Sequence, residues 1–262
     1  MWIFLLSLLC CFSSVHAEQE VIEEGFVTLA TPNYFGILET LVESVHIFST
    51  RPVIAYGLGA DIPLSVEKYP RLIKRRLYDV EEDAFAQKSR SMIESGLRQG
   101  IWVDADLIVN QGVDTLFTLC KKISRFPLVP IHPEDPDNQR NIMQFLNVDK
   151  KTMPYVHDCV ILFTQECMPL LKEWHSYCLQ YDEQAICKDE TILNVLLWKY
   201  GVKDYLPICD PYFETYEQYV KNKPIGWGYQ DIKEINYYMF HGRKDASRAR
   251  EILRELIKYQ EN

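Results

Sequence analysis

The 262-residue chain predicts an α/β domain built on a parallel, helix-covered sheet, and three observations carry that expectation. Short apolar runs alternate with stretches whose apolar residues recur at three-and-four spacing, giving the order strand–helix–strand–helix–strand through the first hundred residues. That order is the mark of strands joined by crossover helices. Apolar residues make up 47% and charged residues 25% of the chain, which excludes disorder and collagen-like bias. Neither an internal repeat nor a linker-like stretch breaks the chain, so a single domain is expected.

The start, "MWIFLLSLLCCFSSVHA", is an apolar run ending in Val15-His16-Ala17, the kind of ending a signal peptidase reads, although no Lys or Arg precedes it. It falls short of the roughly 20 apolar residues a membrane span takes. Residues 1–17 are therefore expected to be a cleaved signal peptide, with residues 18–262 a soluble domain in the secretory pathway or exported. A strand at Phe26–Ala30 breaks at Thr31-Pro32-Asn33. A helix follows with Ile37, Leu38, Leu41, Val42, Val45 and Phe48 on its buried face. "PVIAYGL" is strand-like and ends in turn residues 59–63. "RLIKRRL" (71–77) precedes a run of acids and is read as a solvated face. "EEDAFAQKSRSMIESGLRQG" is expected to be one amphipathic helix, with Phe85, Met92, Ile93 and Leu97 inward and Gly100 as its C′ stop, followed directly by the strand Ile101–Val103.

Prolines at 127, 130, 133 and 136 make residues 125–141 a loop. "CVILF" (159–163) is a core strand, and "DETILNVLLWKYG" a helix with Ile192, Leu193, Leu196 and Tyr200 on one face and Gly201 ending it. The closing "DASRAREILRELIKYQEN" is an amphipathic helix with Ala249, Ile252, Leu253, Leu256 and Ile257 as its stripe. A formal net charge of −9 argues against a nucleic-acid binder, which needs a basic face. Of the six cysteines after the leader none forms a CxxC pair, which excludes zinc-ribbon and thioredoxin sites. Cys178 and Cys187 are spaced for a short loop closure, and equally all six can be small buried hydrophobes.

The chemistry centres on "IWVDADLIV" (101–109), where Asp104 and Asp106 interrupt an apolar run. A buried carboxylate is costly unless paired. At the carboxyl end of a strand in an open parallel sheet both acids reach the rim where ligands bind, and alternation points them the same way with Ala105 turned aside. Two converging carboxylates repel unless a cation lies between them, and hard oxygen donors suit Mg²⁺ or Mn²⁺. An ordinary turn or helix cap is the plain alternative for such a pair.

"IWVDADLIVNQGVDTLF" strongly resembles the DxD segment of GT-A glycosyltransferases, in particular their glycogenin-like and galactosyltransferase-like retaining branch. Further segments resemble that superfamily in the same order, over about residues 25 to 245. "VTLATPNYFGILETLVESV" is similar to its nucleotide-binding strand and helix, and "AFAQKSRSMIESGLRQG" to the helix before the DxD. "VHDCVILFTQECMPLLKEW" and "KDETILNVLLWKYG" resemble its later strand and acidic helix, and "YMFHGRKD" its late His-x-Gly segment.

The resemblance implies a single GT-A (Rossmann-like) domain, α/β, with a mostly parallel mixed central sheet flanked by helices. It implies a nucleotide-diphosphate sugar donor, UDP-linked by analogy, and a metal site of Asp104, Asp106 and His241. Thr31, Asn33, Tyr34, Lys88, Asp104, Gly242 and Lys244 are the implied donor-binding residues, His157 and Asp158 acceptor-side residues, and Asp189 and Glu190 the catalytic acids. Each has an ordinary alternative: Thr31 and Asn33 as helix caps, Lys88 as a surface lysine, and Asp189 and Glu190 as charges offsetting a helix dipole. "HDC" and "KDE" depart from the superfamily's usual residues there, and Lys244 follows His241 one residue sooner than is common. The acidic residues themselves do not choose between retention and inversion. Two rival functions stand beside this one. A haloacid-dehalogenase-like phosphohydrolase also uses a strand followed by DxD, though normally at its first strand, and a non-catalytic sugar- or nucleotide-binding protein can keep the fold alone.

Overall fold

A computed structural model describes residues 21–78, 84–131, 140–148, 154–181, 188–206, 239–241 and 245–260. The leader at 1–17 lies outside them, and among the described residues no helix is long and apolar enough to cross a membrane. The chain forms β1 (Ile22–Ala30), α1 (Phe35–Phe48), β2 (Val53–Leu58), β3 (Leu72–Leu77), α2 (Ala86–Ile93), β4 (Leu97–Val103) and β5 (Leu107–Val109). It continues through α3 (Leu116–Cys120), α4 (Arg140–Leu146), β6 (Val160–Thr164), α5 (Met168–Tyr181), α6 (Lys188–Tyr200), β7 (Met239–His241) and α7 (Ala246–Gln260).

Five strands make one mixed sheet in the order β3-β2-β1-β4-β6. β1, β2, β3 and β4 run parallel, and β6 lies antiparallel to β4 with Val103 opposite Val160. The expected α/β sheet is therefore present and mostly parallel. β5 and β7 form a separate antiparallel pair that places Leu107 opposite His241.

Burial explains most of these elements. β2 is buried along its whole length, as a strand covered on both faces must be. α1 lays Leu38, Leu41, Val42 and Val45 into the main core. α7 docks Ala249, Ile252, Leu253 and Leu256 onto Ile37 of α1 and Ile108 of β5, in a smaller second cluster. α6 buries more than the expected stripe: Val195, Leu197 and Trp198 are as enclosed as Ile192, Leu193 and Leu196, while Tyr200 is 36% exposed. Gly201, at φ 64°, ends that helix as expected.

Four sequence expectations are corrected. The basic run 71–77 is edge strand β3, not merely a solvated face. Its cations serve the fold: Lys74 donates to the carbonyls of Ile62 and Leu64, and Arg75 to Tyr56 Oη and the carbonyl of Ser95. Charged side chains on an outer strand also discourage edge-to-edge pairing. The helix before the DxD stops at Ile93, and Gly96 (φ 73°) turns the chain so that Leu97 already belongs to β4. Gly100 is consequently inside a strand rather than a helix stop. Phe85 is 45% exposed rather than inward. Residues 128–131, expected in a loop, extend along the sheet: Leu128 exchanges two 3.0 Å backbone bonds with Leu162, and Ile131 bridges Val156. Their flanking prolines lose nothing there, because Pro130 only has to accept, from the His157 N–H at 2.9 Å.

Cys120, Cys159 and Cys167 are buried thiols and Cys178 is buried in the core, in line with the small-hydrophobe reading; Cys187 and Cys209 lie outside the described residues. Gly100 pairs with Phe163 across the sheet, and a Cβ there would lie 2.2 Å from the Phe163 ring. Gly100→Ala is expected to cost about 1–3 kcal/mol by overpacking. Chemical denaturation should show this as a lowered midpoint with an unchanged slope.

Candidate functional site

The strand order reverses between β1 and β4: β2 and β3 are laid down on one side of β1, and α2 then carries the chain across to the other. Loops leaving the carboxyl ends of β1 and β4 diverge at such a point and leave a crevice between them. A cavity of about 270 Å³ lies there. Leu29, Ala30, Thr31 and Tyr34 line it from β1 and the turn after it, Ala84, Phe85 and Lys88 from the start of α2, and Trp102, Asp104, Ala105 and Asp106 from the end of β4.

The two aspartates arrive differently from the expected alternation. β4 ends at Val103, and the Leu107 N–H closes a turn onto the Asp104 carbonyl at 3.0 Å. Asp104, Ala105 and Asp106 all line the cavity from that turn. The Asp104 N–H bonds the Cys159 carbonyl at 3.0 Å, which ties the turn to the start of β6.

Lys88 is the centre of the site. It is a buried helix lysine, not a surface one, and its Nζ lies 3.2 Å from Asp104 Oδ1, 2.9 Å from Asp158 Oδ2 and 3.3 Å from Asp189 Oδ2. Burial opposes its charge, yet the three carboxylates together hold its pKa well above the ordinary lysine range. One ammonium cannot neutralise three acids, and they divide the deficit. Burial raises all three; Lys88 and His157 outweigh it at Asp158, whose pKa stays low, whereas at Asp189 burial and the Asp158 charge win and favour the protonated form. Asp104 is pushed up to about 6 by burial, and by Asp158 and Asp106, against the pull of Lys88. Trp102 donates from Nε1 to Asp104 Oδ1 at 2.9 Å, so one oxygen of that carboxylate is fixed by an indole and an ammonium together.

This charge pattern tests the metal expectation. The ionised form of Asp104 is disfavoured by burial first and then by the Asp158 and Asp106 charges, which is the deficit a divalent cation at the cavity would relieve. The donors are hard oxygens suited to Mg²⁺ or Mn²⁺. The β5–β7 ladder brings the backbone of His241 opposite Leu107, next to Asp106 in the chain. The residues present fit such an ion. Gly242 and Lys244 lie outside the described residues.

On the other side of Lys88, a buried Asn194 builds a second assembly. Its side chain receives the Val156 N–H at 2.7 Å and donates to the carbonyls of Val156 and Glu190, locking residues 155–158 over the start of α6. Tyr155 Oη then donates to Glu190 Oε1 at 2.8 Å, the Asp158 N–H approaches Oε2 at 3.4 Å, and His157 Nδ1 lies 3.3 Å from Oε2. The ligand atoms of His157, Asp158 and Glu190 lie within 4.8 Å of one another, a spacing open to a metal. Here, however, His157 Nδ1 accepts the Cys159 N–H at 3.2 Å, and Asp158 is committed to Lys88. These contacts tie the three residues into one hydrogen-bonded and ion-paired assembly. Asp189 and Glu190 thus do more than offset a helix dipole. Burial, then Asp158, pushes Glu190 to about 7.

Among the donor-side residues, Thr31 and Tyr34 line the cavity, and Thr31 makes no side-chain capping bond, so the cap alternative is not realised there. Asn33 is exposed and outside the cavity wall. Sequence reasoning missed Trp102, Phe85, Tyr155 and Asn194. Trp102 had a signal: it stands two residues before Asp104, on the same side of an extended strand. The others had none, because their roles depend on chain crossings.

Removing Lys88 leaves its carboxylates buried and unpaired. Lys88→Met is expected to lower stability by about 3–5 kcal/mol. Asp189→Asn, replacing a group that already favours its neutral form, should cost distinctly less. Thermal or urea denaturation of both variants checks the ordering.

No protein-family model and no curated relative matches the sequence. Solved structures do match by shape. Mouse xyloside xylosyltransferase 1 is similar at 14% identity and a TM-score of 0.52, over 84% of this chain and 98% of that one. The galactosyltransferase LgtC, solved with donor and acceptor sugar analogues, is similar at 14% identity and a TM-score of 0.56, over 88% and 94%. The glycosyltransferase GlyE of Streptococcus pneumoniae gives 12% and 0.54, over 84% and 55%. The resemblance read in the motifs thus extends to the three-dimensional structure: this chain has the GT-A glycosyltransferase fold.

Proposed function

We propose that the protein is a metal-dependent glycosyltransferase that moves a sugar from a nucleotide-diphosphate donor, UDP-linked, to a hydroxyl-bearing acceptor. The observation that carries this reading is the Asp104–Asp106 turn on the wall of a cavity at the sheet's switch point, with Lys88 anchoring Asp104 from behind. Asp104, Asp106 and His241 would hold Mn²⁺ or Mg²⁺. Such an ion, when bound, supplies a Lewis acid against the negative charge that grows on a departing diphosphate.

The chain's own residues do the remainder. Tyr34 and Thr31 receive the nucleoside, and Leu29, Phe85 and Trp102 form apolar walls that keep water from the diphosphate. Trp102 and Lys88 keep Asp104 ionised and in place. Gly242 and Lys244, which follow His241, are assigned to the diphosphate. His157, Asp158 and Glu190 face the acceptor side. On this reading the leader delivers the enzyme to the secretory pathway or the exterior. The phosphohydrolase alternative is disfavoured by position, since here the DxD follows the fourth strand of the sheet.

The parent protein is expected to gain thermal stability from UDP only when Mn²⁺ is present, and to hydrolyse one or more UDP-sugars slowly. Asp106→Ala should abolish the Mn²⁺-dependent gain while leaving the melting temperature in EDTA unchanged. Equal responses from mutant and parent would remove the assigned site. Hydrolysis of an aryl phosphate with no response to any sugar nucleotide would favour the rival chemistry.

A further inference from the structure

We infer that two neighbours on α5, Trp174 and His175, are positioning residues: together they hold Lys88 against Asp189, and through Lys88 they set Asp104 for its ion. The inference rests on the glycosyltransferase reading. It adds to that reading two residues that lie off the cavity wall and still govern what the cavity binds.

The two side chains reach different helices from one turn of α5. Buried Trp174 donates from its indole Nε1 to the Asp189 carbonyl at 2.9 Å, in the first turn of α6. Half-buried His175 lies with Nδ1 2.8 Å from the carbonyl of Ala86, the first residue of α2. A carbonyl only accepts, so the imidazole proton is on Nδ1 in that contact. Consecutive residues on a helix point about 100° apart, which is what lets one pair serve two neighbouring helices. A carbonyl has two lone pairs, so each can take an α5 donor as well as its own helical bond.

These bonds close a ring of contacts. Lys88 stands two residues beyond Ala86 on α2, and its Nζ lies 3.3 Å from Asp189 Oδ2, on the residue whose carbonyl Trp174 holds. α5 therefore meets the backbone on both sides of the Lys88–Asp189 pair. Arg75 of β3 ties the chain just beyond the other end of α2, at the Ser95 carbonyl, 2.9 Å away. The same Lys88 ammonium is 3.2 Å from Asp104 Oδ1, so where α2 sits decides where the first carboxylate of the proposed ion site is held.

A lysine cannot make this choice by itself. Its ammonium is a compact charge on a flexible four-carbon stem, and it can meet the same acids from more than one helix position. The two α5 bonds select one. Helix packing alone would use only the apolar body of the indole; it gives no reason for an imidazole proton aimed at a carbonyl. Groups behind the residues that touch an ion change metal affinity or activity by about 10–100-fold when removed.

Mn²⁺ uptake by the full chain in the presence of UDP, followed by the electron paramagnetic resonance signal of free Mn²⁺, tests the inference without reference to turnover. His175→Leu and Trp174→Phe each remove one donor and keep an apolar body. Each is expected to raise the half-saturating Mn²⁺ concentration about 10-fold. His175→Asn, whose amide N–H stands near the place of Nδ1–H, should return it to the parent's value. The double variant should fall short of the product of the two single effects, because both act on one Lys88–Asp104 contact. Residues that only pack would lower the melting temperature and leave the Mn²⁺ titration where it is. Parental Mn²⁺ binding in folded His175→Leu, or an equal loss in His175→Asn and His175→Leu, would overturn the inference. His175 is half-buried, so its variants decide even where Trp174→Phe folds poorly. A parent that takes up no Mn²⁺ with UDP refutes the glycosyltransferase reading and this inference with it; a parent that does, with variants that match it, refutes this inference alone.

Discussion

The contact on which the site depends is the buried ammonium of Lys88 among three carboxylates that come from three separate parts of the chain. Asp104 follows β4, Asp158 precedes β6 and Asp189 lies in the first turn of α6. Each acid alone would be too costly to bury. Together they outweigh the desolvation of the lysine, and the lysine in turn keeps Asp158 charged and Asp104 oriented. A buried ion cluster rarely stabilises a protein beyond what apolar packing would achieve. Its value here is positional, since it specifies where a helix, a strand end and a second helix meet.

The topology explains why these residues can meet at all. Parallel β1 and β4 both end at the crevice, while β6 runs antiparallel to β4, so the end of one strand lies against the beginning of the other. The bond from the Asp104 N–H to the Cys159 carbonyl is a direct result, and it sets Asp104 and Asp158 on either side of Lys88. Had β6 been parallel, its start would lie at the opposite end of β4 and the cluster could not form. α2 supplies the remaining coordinate: by ending at Ile93 and turning at Gly96 it is short enough to present Lys88 to the rim rather than to mid-sheet.

The alternation of apolar runs made the sheet and its helices legible, because burial in a two-sided sheet imposes that pattern directly. The DxD was legible for a related reason: charge inside an apolar run demands a partner. What could not be read was anything set by long-range pairing. Lys88 in isolation is indistinguishable from a solvent-facing helix lysine, and only the convergence of Asp104, Asp158 and Asp189 changes its meaning. β3 was hidden because its outward residues are Lys74 and Arg76, a polar pattern suited to an edge strand and equally suited to a loop. Gly100 misled for a physical reason too. A glycine after a helical stretch commonly ends it, but this one is small because Phe163 occupies the space of its Cβ.

The two assemblies that meet at Lys88 are shaped by the same forces, burial and neighbouring carboxylates opposed by one ammonium. On the cavity side, burial first and then the Asp158 and Asp106 charges disfavour the ionised form of Asp104 against the pull of Lys88, a deficit that a cation there would relieve. Next to His157, Glu190 is pushed up to about 7 by burial and then by the Asp158 charge. Asp158 belongs to both, bonded through its backbone N–H to Glu190 and through its carboxylate to Lys88. A change of charge at Asp104 therefore reaches Glu190 by way of two short contacts at Lys88 and one at Asp158, without any movement of backbone.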